Sequence, residues 1–284
     1  MQVFEYLTQV YTQLCEAGFD SSEARSLARI LLGHLQGCEP SRLLLQRREE
    51  VDQQRGEALL SRLLSGEPIQ YLLGESPFLG LDFLVGPEVL IPRFDSECLA
   101  EQAIQLLQGR KDPLVADVCC GSGCLGLSIA QHLPGSRAVL TDISPEALAM
   151  AERNAERLGL QARCRFFPGD LAEPLLEAGC RPELLIANPP YIPSEELGRL
   201  SPQVQREPRL ALDGGEDGLL LYPRLIGQCG QLLPAGGWLI LEHGDEQQAA
   251  LCALLEEGGF QVEERLFDLG RRPRGVLARQ PERR

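Results

Sequence analysis

The chain has few of the residues that most often do acid–base or metal chemistry. It contains 3 histidines in 284 residues. His34 falls in a helical stretch and reads as structural, and no histidine is placed to act as a general base. There are 10 cysteines but no Cys-x-x-Cys pair. Cys119, Cys120 and Cys124 cluster in sequence with no histidine near them, which argues against zinc, so no metal is expected. Their spacing fits no disulfide framework, and the ten read as reduced thiols of a cytosolic protein. No apolar run is long enough to span a bilayer. The opening Met1-Gln2-Val3-Phe4-Glu5-Tyr6 lacks the basic and apolar regions of a secretory signal. These absences predict a cytoplasmic protein with no membrane partner. Positive charge is also short: 27 Lys and Arg stand against 41 Asp and Glu, a net charge of −14. A protein that grips a nucleic-acid backbone needs a basic surface. The balance therefore favours a protein or small-molecule substrate over direct nucleic-acid contact.

What is present is ordinary globular composition, 44% hydrophobic and 24% charged, in a length that suits one large domain or two smaller ones. Residues 1–66 read as helical. Val3, Tyr6, Leu7, Val10, Tyr11 and Leu14 recur at three and four, Gly18 closes that segment, and Asp20 caps a second helix. A short third helix opens at Pro40-Ser41, and a fourth carries Ala58 to Leu64. Nothing here carries chemistry, so the region reads as a docking domain. Residues 67–92 mix Gly and Pro with Phe78, Phe83, Val85, Val89 and Ile91, which predicts a hairpin-like linker. It leads into Arg93, Asp95 and Glu97, just before a helix. Local features allow Glu97 to be a dipole partner at that helix start, and equally allow Arg93 or Glu97 to line a site.

From Pro113 to the end, strands and helices alternate. Leu114 to Cys119, Arg137 to Asp142, Arg163 to Phe167, Leu184 to Ala187 and Trp238 to Glu242 read as strands, with helical segments between them. That alternation predicts an α/β fold: a doubly wound, mostly parallel, Rossmann-like sheet. The last two runs, 260–267 and 275–278, suit an antiparallel pair at its edge. Residues 93–284 form this second domain.

The fourth of these strands ends in Asn188-Pro189-Pro190-Tyr191, at the edge where open α/β sheets bind ligands. Two prolines fix φ, remove two donors and hold Asn188 extended. Their carbonyls stay free to accept, the Asn188 side chain adds another acceptor, and Tyr191 offers a flat face. Such a cradle suits a planar group bearing an NH2. Asn188, Pro189 and Tyr191 are the predicted catalytic residues, and with Pro190, Arg93 and Glu97 they form the predicted substrate site.

Asp117 to Gly126 reads DVCCGSGCLG, a glycine turn between strand and helix that can approach a ligand closely. Gly121, Gly123 and Gly126 fit the dinucleotide fingerprint, and Asp142 ends the next strand where it can take two ribose hydroxyls. On this loop alone, NAD is an open reading beside other adenosine-bearing ligands.

The tetrapeptide resembles the signature of amino-methyltransferases that use S-adenosylmethionine (SAM). Asp117 inside the first strand and Gly169-Asp170 after the third resemble that group's cofactor positions. Cys119 departs from the pattern, which usually has Gly there. Gly66 to Gly74 (GEPIQYLLG), Leu90 to Glu97 (LIPRFDSE), Asn188 to Tyr191, Glu207-Pro208 with Gly215 to Leu219, and Leu241 to Gly244 (LEHG) are together similar to the HemK/PrmC family. The resemblance implies methylation of the side-chain amide nitrogen of the glutamine in the Gly-Gly-Gln tripeptide of peptide chain release factors. It also implies SAM held by Asp117, Cys119, Cys120, Gly121, Ser122, Gly123, Asp142, Asp170, Leu171 and Asn188. A sister family acts on a ribosomal-protein glutamine. Glu242-His243-Gly244 and Cys98 to Gln102 look less like the sister. A nucleic-acid amino-methyltransferase would flip a base into the same cradle, but it needs a basic groove. A binding module that had lost catalysis would lack Asn188 or the glycine loop.

If Asp142 takes the ribose hydroxyls, Asp142→Ala should weaken SAM about tenfold to a hundredfold, since charged hydrogen bonds are worth roughly 1.5–3 kcal/mol. NAD should not bind. Titration calorimetry with both ligands checks this.

Overall fold

The computed structural model describes residues 1–45 and 48–282. It divides into two compact units, residues 1–74 with 201–206, and residues 75–200 with 207–284.

The first unit is helical: α1 (Val3–Glu16), α2 (Ser21–Gln36), a 3-10 segment Pro40–Leu45, α3 (Gln53–Leu64) and α4 (Ile69–Leu73). Each helix buries one stripe, with Val3, Tyr6, Val10 and Leu14 of α1 packed against Ala24, Ala28, Leu31 and Leu32 of α2. The Asp20 carboxylate accepts the Ser22 and Glu23 N–H groups at the start of α2, and Gly37 closes it in the left-handed region. Where the sequence suggested a linker from residue 67, α4 instead continues the helical unit to Gly74. Residues 201–206 also join this unit, with Arg206 donating to the Ser65 carbonyl at 2.9 Å.

The second unit opens with a hairpin, β1 (Glu75–Phe78) and β2 (Leu81–Leu84). Then come α5 (Glu97–Leu107), β3 (Leu114–Val118), α6 (Cys124–His132), β4 (Arg137–Asp142), α7 (Pro145–Arg157), β5 (Cys164–Pro168), α8 (Glu173–Glu177) and β6 (Leu184–Ala187). The unit ends with α9 (Tyr222–Leu232), β7 (Trp238–Glu242), α10 (Gln248–Glu257), β8 (Gln261–Phe267) and β9 (Pro273–Arg279). Seven strands form one sheet in the order β5-β4-β3-β6-β7-β9-β8. All neighbours are parallel except at β9, which runs antiparallel to both β7 and β8. The antiparallel strand is thus one place in from the edge.

Strands buried on both faces read as continuous apolar runs rather than alternating ones. Leu184 to Ala187 is the clearest case, all four residues being fully buried. One core lies between the sheet and α5, α6 and α7, the other between it and α8, α9 and α10. The strand order reverses between β3 and β6, where the glycine turn and Asn188 both leave the sheet.

The hairpin is part of this unit's core rather than a linker. Phe78 and Phe83 are fully buried, edge to face with ring centres 6.2 Å apart. Asn154 of α7 holds it, accepting the Leu84 N–H at 2.6 Å and donating to the Leu84 carbonyl at 3.0 Å. A chain beginning at residue 85 should therefore melt roughly 10 °C or more below one beginning at Glu75. Removing a buried Phe costs about 3–5 kcal/mol, and each kcal/mol moves a domain of this size by roughly 2–4 °C. Thermal unfolding of the two shortened chains decides it.

Candidate functional site

A cleft opens at the carboxyl ends of β3, β4 and β6. Its wall contains Cys119, Cys120, Gly121 and Ser122 from the glycine turn, Asp142 from β4, Asp170 and Leu171 after β5, and Asn188 and Pro190 after β6. Arg93 and Ser96 border it on another side. Ile143 and Leu210 face it while 53% and 57% exposed, so they offer apolar surface to a flat ring.

The glycine turn is held from below. Gly126 packs so tightly on β3 that a Cβ there would lie 2.7 Å from the Asp117 Cβ. This close approach lets the Gly126 N–H donate to Asp117 Oδ2 at 2.8 Å. Asp142 Oδ2 accepts the Gly121 N–H at 2.8 Å, and its Oδ1 accepts the Ser144 N–H at 2.9 Å. Asn154 donates to the Ser122 carbonyl at 2.9 Å, so the residue that holds the hairpin also holds the turn.

Cys119 departs from glycine at a telling place. Its φ is +58°, a left-handed conformation that costs an L-residue about 1–2 kcal/mol. Leu171, also in the cleft wall, has φ +52°. Non-glycine residues persist in that region where the surroundings over-determine them, and such positions cluster at ligand sites.

Asn188 and Pro190 reach the cleft, while Pro189 is buried and Tyr191 lies behind it. The Asn188 side chain and the Pro189 carbonyl accept no hydrogen bond from the described residues. Tyr191 is fixed at both ends. Its hydroxyl donates to Glu242 Oε1 at 3.4 Å, and its carbonyl accepts from Gln247 Nε2 at 2.8 Å. A Cβ at Gly214 would meet the Tyr191 Cα at 2.7 Å, and one at Gly218 would overlap the Tyr191 carbonyl. The glycines of the 214–218 segment are therefore what allow it to lie flat on the tetrapeptide.

The structure separates the two candidates before α5. Arg93 borders the cleft with its guanidinium on Glu207, whose other oxygen accepts the Ile91 N–H at 3.0 Å. Glu97 does not line the cleft: its Oε1 accepts the Leu79 N–H at 2.6 Å and pins the hairpin turn. Its place in the predicted substrate site is thus corrected to a scaffold contact. Asp117 and Gly123 stand behind the cleft wall, and Asp170 lies in it with its carboxylate on Arg224.

Several residues were missed. Glu207 and Glu242 lie inside quoted motifs, but their partners are distant in sequence. Asn154 carries a legible signal, because it occupies the apolar stripe of α7 with Ala147, Leu148, Ala151 and Ala155. Gln247 and Arg274 carry none.

Residues 5–74 match the family profile of the PrmC N-terminal domain, and residues 96–200 match the methyltransferase small domain. The release factor glutamine methyltransferase of Moorella thermoacetica is 40% identical over 98% of this chain and 98% of its own. The chain belongs to the release factor glutamine methyltransferase family. The protein of that name from Deinococcus radiodurans is 35% identical over 98% of this chain and 99% of its own. Among solved structures, a methyltransferase from Pyrococcus furiosus superposes with a TM-score of 0.52 at 16% identity, over 78% of this chain and 97% of that one. The 16S rRNA N2 G1207 methyltransferase of Thermus thermophilus gives 0.50 at 18% identity, over 74% and 50%. At those identities the likeness is one of fold.

The chain is thus a SAM-dependent methyltransferase, and SAM is a cation at its sulfonium and amino groups. The donors present fit such a ligand. Asp117 is fully buried, and its Oδ1 has no partner among the described residues. Burial, with some repulsion from Asp142, pushes its pKa up to about 7. Asp142 is raised by burial too. A cation favours the ionised form of both. No helix of the described residues is long and apolar enough to cross a membrane, and no group of three or more His, Cys, Asp or Glu is placed among them to hold a metal.

A carboxyl whose folded pKa lies above its unfolded value contributes stability that is complete below the unfolded pKa, about 4, and is lost as pH rises through the folded one. Asp117 sets that window between about 4 and about 7. The ligand-free protein should lose stability from pH 5 to pH 8, and Asp117→Asn should lose less. The same variant should bind SAM at least tenfold more weakly. Thermal unfolding against pH, with calorimetry, checks both; an unchanged slope would mean that Asp117 is ionised throughout.

Proposed function

We propose that this chain methylates the side-chain amide nitrogen of the glutamine in the Gly-Gly-Gln tripeptide of peptide chain release factors, in the cytoplasm and without direct nucleic-acid contact. The observation that carries the proposal is Asn188, whose unengaged side chain borders the same cleft as the glycine turn and Asp142. The names of the relatives supply the partner class.

An amide nitrogen is a poor nucleophile because its lone pair is delocalised into the carbonyl. The Asn188 carbonyl oxygen and the Pro189 carbonyl accept the two amide N–H bonds, which pins the group and enriches the nitrogen. Tyr191 keeps that edge of the cradle in place, and its own anchors at Glu242 and Gln247 keep Tyr191 in place. SAM supplies an electrophilic methyl on sulfur. Catalysis here is positioning and electrostatics, with the reacting atoms brought to about 3–3.5 Å. The spare proton leaves after transfer to water. The first unit serves to dock the substrate protein. Incubation with labelled SAM and a mixture of purified release factor, ribosomal proteins and RNA tests the assignment: label should enter the release factor alone, on its glutamine.

Asn188→Ala should lower kcat at least a hundredfold with SAM affinity unchanged. It leaves one substrate N–H without an acceptor, about 1–3 kcal/mol, and frees the amide plane to rotate. Asn188→Asp should be milder, since a carboxylate oxygen still accepts. Single-turnover kinetics with the release factor measures the loss; a rate within threefold of wild type for Asn188→Ala would place the amide elsewhere.

A further inference from the structure

The β8–β9 turn has a position and a surface that the reaction does not use. β9 is antiparallel to both β7 and β8, so β8 ends at the same edge of the sheet as β7 and the cleft. The turn beyond it carries Leu269, 101% exposed, with Phe267 at 48%. Arg271 and Arg272 are exposed and have no carboxylate partner among the described residues, although the protein carries 41 acidic side chains.

The base of the turn is locked to the mouth of the cleft. The half-buried Arg274 guanidinium pairs with Asp95 at 2.8 Å, Asp268 at 3.2 Å and Asp245 at 3.3 Å. Asp268 also accepts the Arg272 N–H at 2.9 Å, which closes the turn on itself. Asp95 and Asp268 share one cation, so their neighbours Phe94 and Phe267 border one ion cluster. Phe94 is 66% exposed, and Arg93 beside it borders the cleft. Phe94, Phe267 and Leu269 are thus exposed apolar side chains next to the loops that Arg274 ties together beside the cleft wall, with the free guanidiniums of Arg271 and Arg272 on the same turn. Single exposed apolar residues are ordinary. Three of them around one ion cluster beside a substrate site, two of them on a turn braced by Arg274, make a docking edge.

We infer that the β8–β9 turn is a second contact for the substrate protein, taking an apolar side chain against Leu269 and Phe267 and a carboxylate against Arg271 and Arg272, on the surface flanking the methylated loop. This rests on the protein-substrate reading above. Continuity with the cleft identifies the occupant: Arg93 lines the cleft two residues before Asp95, which Arg274 ties to Asp268 at the base of the turn, so the turn adjoins the place where a substrate protein lays its glutamine. The two free guanidiniums call for a carboxylate on it.

The test is steady-state methylation of full-length release factor by the full-length enzyme carrying Leu269→Ser, or Arg271→Ala with Arg272→Ala. These positions are solvent-exposed, so folding is not at stake. KM for the release factor should rise roughly tenfold in each, with kcat at saturation and the SAM affinity unchanged; Leu269→Met should restore KM. Unchanged KM would overturn the inference, as would a fall in kcat alone, which would assign the turn to the chemistry. Conversion of a dimer to a monomer by Leu269→Ser, in sedimentation, would overturn it in favour of a second copy of the chain. If the wild-type enzyme leaves release factor unlabelled, the reading of the substrate falls first and the docking edge with it, an outcome distinct from the other three.

Discussion

The segment that would hold the substrate amide has no secondary structure of its own to hold it. Asn188 to Tyr191 leaves β6 with two prolines in succession, so it lacks donors for a ladder and cannot coil into a helix. Everything that fixes it comes from outside. Ile192 is tied to the 212–214 segment by bonds of 2.9 and 2.8 Å, Gly214 and Gly218 leave room for that segment to lie against Tyr191, and Gln247 joins the Tyr191 carbonyl to the Gly244 N–H. Three sequence motifs far apart in the chain thus act as one splint. Their glycines are positions where a side chain would displace the tetrapeptide, and their polar residues bond to backbone.

The buried acids behind the cleft show the opposite economy. Asp117 and Glu242 are buried near the carboxyl ends of β3 and β7, on either side of β6, and burial raises both to about 7. Glu242 is moderated by contact with Ser96, by the Arg274 charge and by Tyr191. Such groups destabilise the empty protein, and a cation bound in the cleft in front of Asp117 favours its ionised form. Stability and affinity are therefore traded at the same atoms. Cys119 adds to the cost through its backbone, since its turn is built for a residue without a Cβ.

The sheet was legible because buried parallel strands and capped helices announce themselves locally, and the strand runs Arg137–Asp142, Leu184–Ala187 and Trp238–Glu242 are observed as read. The docking of residues 67–92 was not, because whether a Gly- and Pro-rich stretch is a linker or a core hairpin depends on what covers Phe78 and Phe83. The same limit separates the site residues. Asn188, the glycine turn and Asp142 carry their chemistry in local order, whereas Glu97 reads like Arg93 until a distant N–H, that of Leu79, claims its carboxylate. Gln247 and Arg274 act only through partners the fold brings to them, so residue type and spacing are silent about both.

The position of β9 has a consequence for how the molecule is made. It is made after both β7 and β8, yet it lies between them in the sheet. Until it emerges, β7 presents an unpaired edge of apolar residues, Leu239 to Leu241 among them, which is the kind of surface that recruits foreign strands. β8 has no neighbour to pair with in that interval. Arg274, which gathers three loops at the cleft, arrives on the same strand. Until β9 is made, the nascent chain is thus both sticky and without its finished cleft, and chaperone demand and the onset of activity are tied to that one event.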